Sequence, residues 1–440
     1  MNRILPCLLT LAAFPLVAAG SGDPPPPQPH NPAATSRHAT DDELNLPQPP
    51  RKPIVPDPAK LAKALPEERE AVRAAVVGRG GARYNQHGQV GYIESEDATD
   101  ADVKLFGALP HLEYLHLGPS IQNRIRGYGG QSPITDAGIA SLLGARKLRR
   151  LSLVNTQVTD EAMKVVGQLT AIESLVLASR NITGAGMAHL DRLQRLETLT
   201  LFGSSVGDDG MRHVAKHAAL RELYMGRRVT CRGLAELVPL KSLDFLRIFF
   251  QPLKDDDLVA IGQMTSITTL RCGFAGVSDE GLRHMTNMTR VRCLNLTDAK
   301  ATDAGMAYVA QMKGLEILTL NKGIGDAGVA QLATLRNLKQ LSLRQTKITD
   351  VGLAKLVALP QLRNLDLMYT HVTPAGVAKL RGMKKLERVD LDHTDISDED
   401  AKRLIDSGIP VSKSMETNPF SENDKHGRLD VGRWQGRALS

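Results

Sequence analysis

The chain has 440 residues, several times what one compact domain needs, so it is either several domains or one elongated array. Hydrophobic residues make up 42% and aromatics only 4%, so aliphatic side chains must carry the core. The 55 basic and 48 acidic residues leave a net charge of +7 with no run of five basic residues, which gives no basis for a nucleic-acid partner.

Residues 1–19 read as a secretion signal. Arg3 supplies the positive end, Ile4 to Val17 the apolar run, and Val17-Ala18-Ala19 the small-residue cleavage pattern. Pro6 and Pro15 interrupt the run, and it is too short for a good membrane span. No later stretch approaches that length, so the mature chain is expected to be soluble and either secreted or held in the periplasm or cell envelope. Loss of Cys7 with the signal leaves Cys231, Cys272 and Cys293, an odd number whose spacing suggests neither a disulfide framework nor a metal site. Residues 20–58 are Pro-rich and predict a disordered linker. Within 59–97, residues 59–77 predict a short amphipathic helix, GRGG breaks it, and QVGYI predicts a strand, together a capping segment.

From Ile134 the sequence repeats every 24 residues, with two periods of 23. The same apolar position recurs at Ile134, Val158, Ile182, Val206, Val229, Leu253, Val277, Ala301, Ile324, Ile348, Val372 and Ile396. Most copies continue with a version of T-D-x-G, as in TDAG (135–138) and TDVG (349–352), and then run through a helical pattern into L-x-x-L-x-L, as in LRRLSL and LKQLSL. An imperfect first copy spans Ala98 to Leu117, giving twelve strand motifs and a truncated last unit ending near Val411. In each motif the last two leucines lie two apart and face one side of a strand. A single unit cannot bury them, whereas stacked neighbours can. The Thr-Asp pairs are read as helix N-caps, and the following Gly as room for a tight approach to the neighbouring unit. Residues 412–440 are expected to form a disordered basic tail.

These motifs resemble leucine-rich repeats, closest to the 24-residue T-D-x-G-L type of secreted bacterial proteins, over roughly residues 98–411. The resemblance implies an α/β solenoid, a curved horseshoe with a parallel concave sheet and helices on the convex side, and recognition of proteins or glycans. Leu65-Pro66-Glu67-Glu68 resembles the opening of an F-box, which precedes related repeats in ubiquitin-ligase adaptors, but too little chain follows before the array.

No phosphate-binding, dinucleotide, nucleophile-elbow or zinc motif is present in the sequence, so neither enzyme activity nor a cofactor is expected. His213 and His217 have the i, i+4 spacing of metal ligands but lack a third ligand, and His217 occupies a slot held by leucine in other repeats. Asp366, Asp390 and Asp392 cluster late on the concave face beside Asn364 and Arg388, which makes a solvated acidic patch or, alternatively, acid–base chemistry. The better candidate is in repeats four to seven, where Phe202, Tyr224, Phe245, Arg247, Phe249 and Arg271 alternate with buried positions and are expected to face solvent on the concave side. Phe250 and Phe274 are expected to point inward. A second candidate is the insertion at 118–133, carrying Arg124, Arg126 and Tyr128. The function these features suggest is non-catalytic binding of a protein or peptide outside the cytoplasm, with a cell-surface glycan as the alternative partner.

Overall fold

Leucines two apart on a short extended segment are hidden only when the next copy lies alongside. The computed structural model describes residues 66–413 except 78, 86, 121–129 and 227 and the side chains of 250 and 251. Its strands form one 15-stranded sheet in sequence order. Strands β1 (Gly81–Tyr84) and β2 (Val90–Ser95) pair antiparallel, and β2 begins a parallel stack that runs to the end of the sheet. That stack continues through β3 (Tyr114–Leu117), β4 (Arg150–Val154), β5 (Ser174–Ala178), β6 (Thr198–Thr200), β7 (Glu222–Met225), β8 (Phe245–Lys254) and β9 (Thr269–Gly276). It ends with β10 (Cys293–Asn295), β11 (Ile317–Thr319), β12 (Gln340–Ser342), β13 (Asn364–Asp366), β14 (Arg388–Asp390) and β15 (Val411–Ser412). Strands β3 to β14 are the twelve expected from the motifs, and β15 belongs to the truncated unit.

The register follows the leucines. Leu318 pairs with Leu341 and Leu341 with Leu365, and all three are fully buried. Burying a leucine stabilises by about 1.5–3 kcal/mol, and each repeat supplies several. All twelve recurring apolar positions from Ile134 to Ile396 are buried, as is Phe274. The side chain of Phe250 lies outside those described, as do the signal, the linker, the start of the predicted first helix and the tail after Lys413. Helix α1 (Pro66–Val77) closes the N-terminal end with Ala71, Val72 and Ala75 buried, and Glu68 accepts from the Val90 N–H at 3.3 Å.

Helix α2 (Asp100–Gly107) begins the return paths, most of which are one or two turns, such as Asp326–Gln331 and Asp350–Lys355. Helices this short do not persist alone. A ladder of caps ties each to its predecessor. Thr135 Oγ1 accepts from the Ala137 N–H, capping its own helix as the sequence implied. The aspartate, however, is not a local cap. Thr135 donates its N–H and Oγ1–H to Asp100 of the preceding repeat at 2.9 and 2.6 Å, and Thr349 does the same to Asp326 at 2.8 and 2.6 Å. The glycine makes room for this carboxylate: a Cβ on Gly352 would lie 2.3 Å from Asp326 Oδ1.

Two breaks in the ladder are paired, whereas Gly325 replaces a threonine alone and still donates its N–H to Asp303 at 2.7 Å. Gly184 and Cys231 replace the aspartate, and the next repeats carry Gly207 and Lys254 in place of threonine. Lys254 is capped instead by Asp257 of its own helix, donating its N–H to Oδ2 at 2.9 Å. Pro374 also replaces the aspartate, and the following Ser397 caps through its own Asp400.

Candidate functional site

Alternation sends the residues between the buried leucines to the concave face. Thr200, Tyr224, Arg247 and Arg271 form one row across β6, β7, β8 and β9. Phe245 lies one row away, beside Glu222 and Thr269, while Phe202 and Phe249 stand two positions beyond Thr200 and Arg247. The structure therefore brings all six residues expected there into one patch. Phe202 and Phe249 lie 4.6 Å apart and tilted, Tyr224 and Phe245 5.0 Å apart, and the Arg247 guanidinium sits 4.4 Å above the Phe249 ring. These contacts fit aromatic and cation–π pairing.

The expectation that the aromatics face solvent is corrected. Tyr224 is 1% exposed, Phe249 6%, Phe202 7% and Phe245 8%. Together with Val154, Val176 and Ala178 they form an apolar cluster separate from the leucine core. Neighbouring strands are only about 4.8 Å apart, so large rings on adjacent strands turn onto one another. The arginines are half-buried. Burial, and then the neighbouring Arg271, push Arg247 down to about 10, and burial lowers Arg271 as well. Burial, followed by Glu222, raises the Tyr224 phenol, whose hydroxyl donates to Glu222 Oε2 at 3.3 Å. Thr200, absent from the sequence-based candidates, is fully buried, and its Oγ1 has no hydrogen-bond partner among the described residues. Strand alternation alone would have put it in the row.

Arg124, Arg126 and Tyr128 lie outside the described residues. The insertion departs at Gly118, whose φ of +92° suits glycine, and returns where Ser132 donates its N–H to the Asn155 carbonyl at 2.9 Å.

The late acidic cluster is held by its own surroundings. Asp366 is buried and accepts from Ser342 Oγ at 2.9 Å and the Met368 N–H at 3.0 Å, and burial raises its pKa. Asp390, its register partner, accepts from Arg388 Nε at 2.7 Å. Beside them Tyr369 and His393 stack at 4.3 Å, both at positive φ. Their 24-residue spacing was visible in the sequence.

His213 and His217 do not converge: His213 Nδ1 lies 3.0 Å from Asp191, while His217 is buried with Nδ1 3.1 Å from the Leu193 carbonyl. Among the described residues no group of histidine, cysteine and carboxylate side chains is placed to hold a metal. Cys272 packs against the leucine core and burial raises its thiol. Cys231 opens a helix, and Cys293 is buried on β10. No helix among the described residues is long and apolar enough to cross a membrane.

A family model described as Leucine Rich repeat matches residues 334–357 and 382–404. Among solved structures, the chain is similar to an internalin from Listeria monocytogenes at 20% identity and a TM-score of 0.52, covering 78% of this chain and 98% of that one. A leucine-rich-repeat protein of Leptospira interrogans is similar at 19% identity and a TM-score of 0.49, covering 74% of this chain and 89% of that one. No curated protein sequence matches. With its 24-residue units stacked into one open parallel sheet, the chain has the leucine-rich-repeat fold, and two of its units match the family model itself.

Proposed function

We propose that this chain is a non-catalytic scaffold that binds a protein or peptide on its concave face, outside the cytoplasm. The observation that carries the reading is the aromatic–arginine patch across β6 to β9, built from a chain only 4% aromatic. Aromatic and arginine side chains dominate the energetics of protein interfaces. The signal-like residues 1–19 support export. The test has two stages. The purified chain is first used to capture partners from envelope extract, and is screened in parallel on a glycan array. Each partner's affinity is then measured against the Tyr224→Ala/Phe249→Ala variant. Loss of affinity with unchanged circular dichroism supports the reading. Unchanged affinity contradicts it, and binding confined to the glycan array replaces the protein partner with a carbohydrate.

A further inference from the structure

The segments that lead each return path back into the sheet form one rim of the solenoid. From β10 to β14 this rim is a backbone ladder. Glu316, Lys339, Arg363 and Glu387 each donate their N–H to the carbonyl of the equivalent residue one repeat earlier, starting from Arg292, at 2.7 to 2.8 Å. The seven residues before each of these five strands hold nine basic and two acidic side chains, an excess equal to the net charge of the whole chain. On the opposite rim of the same repeats, segments 296–302, 320–325, 343–349, 367–373 and 391–397 hold four basic and three acidic side chains. Both carboxylates of the basic rim are paired, Glu316 with Lys339 at 2.7 Å and Arg292 at 3.8 Å, and Glu387 with Arg363. Arg336, Arg381 and Lys384 are exposed and make no hydrogen bond or ion pair among the described residues. None of the five basic segments contains an aromatic residue.

We infer that this rim is a second interaction surface, and that its partner is a linear polysaccharide bearing carboxylates. The inference does not depend on the concave-face reading. The cations recur with the strand spacing of about 4.8 Å over four intervals, about 19 Å in all, so they make a line and not a pocket. A polymer with a carboxylate on every sugar matches such a line. Guanidinium groups hold a carboxylate through paired donors in a fixed plane. The interleaved Glu316 and Glu387 also suit this partner, because an ionised carboxylate has more acceptor sites than its ion pairs use and sugar hydroxyls supply donors. Other polyanions fit less well. A single-stranded nucleic acid draws much of its affinity from bases stacked on aromatic side chains, and attachment to a bilayer surface draws on aromatic anchors. The rim has no ring for either.

Titration of the full chain into fluorescein-labelled oligogalacturonate, followed by polarisation at low salt, tests this. The expected result is saturable binding that weakens as salt is added, because exposed charges are screened over about 10 Å at 0.1 M. The methyl-esterified oligomer, which has lost its charge, should not bind. Arg336→Gln/Arg381→Gln/Lys384→Gln should weaken binding about tenfold. These side chains have no partner to lose, so the circular dichroism of the variant should match that of the wild-type chain. Lys300→Gln/Lys322→Gln/Lys347→Gln removes the same charge from exposed positions on the opposite rim and should change affinity less than about twofold. Tyr224→Ala/Phe249→Ala should leave it unchanged. Absence of binding overturns the inference, and so do equal losses from the two triple variants, which would make net charge alone responsible. A loss on the Tyr224→Ala/Phe249→Ala variant overturns it by moving the polymer to the concave face. Tighter binding to single-stranded DNA of equal charge, or to phosphatidylglycerol vesicles, overturns it in favour of that partner.

Discussion

Repeats in the middle of the array and repeats near its C-terminal end are built on the same leucine register but obey the repeat's other rules differently. From β11 to β13 every strand has three residues, and Asp303, Asp326 and Asp350 each accept from the following repeat. Around β6 to β9 the aspartate–threonine ladder breaks twice, at Gly184/Gly207 and at Cys231/Lys254. There β8 lengthens to 10 residues, with register irregularities around Pro252, and the concave face fills with rings. Local rules broken within an otherwise regular array mark the places where something other than the fold constrains the sequence. Under the proposed function, the regular repeats serve as scaffold and those around β6 to β9 as the working surface.

The largest expected effect tests the scaffold half of that contrast. Leu318→Ala or Leu341→Ala removes a fully buried side chain clamped between neighbours, and each should destabilise by about 2–5 kcal/mol in urea unfolding. Thr319→Ala, one residue along and partly exposed, should cost under about 0.5 kcal/mol. Equal losses at 318 and 319 would show the register to be wrong.

The working surface should behave in the opposite way. Tyr224→Ala and Phe249→Ala should each weaken partner binding by about 2 kcal/mol or more. Because their cluster is separate from the leucine core, Tyr224→Ala should destabilise the fold less than Leu223→Ala on the same strand. A stability loss at 224 matching that at 223 would make the cluster a second core and remove its claim to be an interface.

The sequence made some of this plain and hid the rest for identifiable reasons. Hydrophobic periodicity located all twelve strands, because a leucine facing the wrong way costs too much to be tolerated. It also chose the face for Tyr224 and Phe249, since alternation is geometric. It did not say how crowded that face is: exposure depends on neighbours 23 or 24 residues away, and one strand's pattern carries no information about ring-on-ring contact. The aspartate was misassigned for a similar reason. Within one repeat T-D-x-G looks like a self-contained cap, while the hydrogen bonds run from each Thr to the previous repeat's Asp. The paired absences at 231 and 254 are in the sequence, but they acquire meaning only once that contact is known.

The ladder itself gives the next effects. Asp326→Ala should cost about 1–2 kcal/mol, because it strips the partner from the Thr349 N–H and hydroxyl. Gly352→Ala should cost about 1–3 kcal/mol by forcing a Cβ against the same carboxylate. Repairing the break is the sharper experiment. Cys231→Asp and Lys254→Thr should each do little or harm the fold alone, yet together show a favourable coupling of roughly 0.5–1 kcal/mol in a double-mutant cycle. Additive behaviour would mean that the two absences are unrelated.

Asp255 resumes the ladder after the second break, and its titration gives the smallest effect. Burial acts to raise its pKa, but the Ser278 hydroxyl and N–H and the Gly281 N–H outweigh this, leaving the carboxyl below its usual value. Ser278 reaches it at 2.8 and 2.6 Å. A carboxylate whose pKa is lower in the folded chain than in the unfolded one stabilises the fold at pH values above the unfolded pKa, about 3.9. That contribution is lost as pH falls through the folded value, because the unfolded chain takes up the proton first. The carboxylate is partly exposed, so screening reduces the contribution to a few tenths of a kcal/mol. Unfolding free energy measured from pH 6 to pH 2.5 should therefore fall less steeply below about pH 4 in Asp255→Asn than in the wild-type chain. The substitution keeps one acceptor oxygen and the shape of the side chain, so a difference confined to low pH reports charge and not packing. Parallel curves across the whole range would show that this rung acts as a neutral spacer between the irregular and the regular repeats.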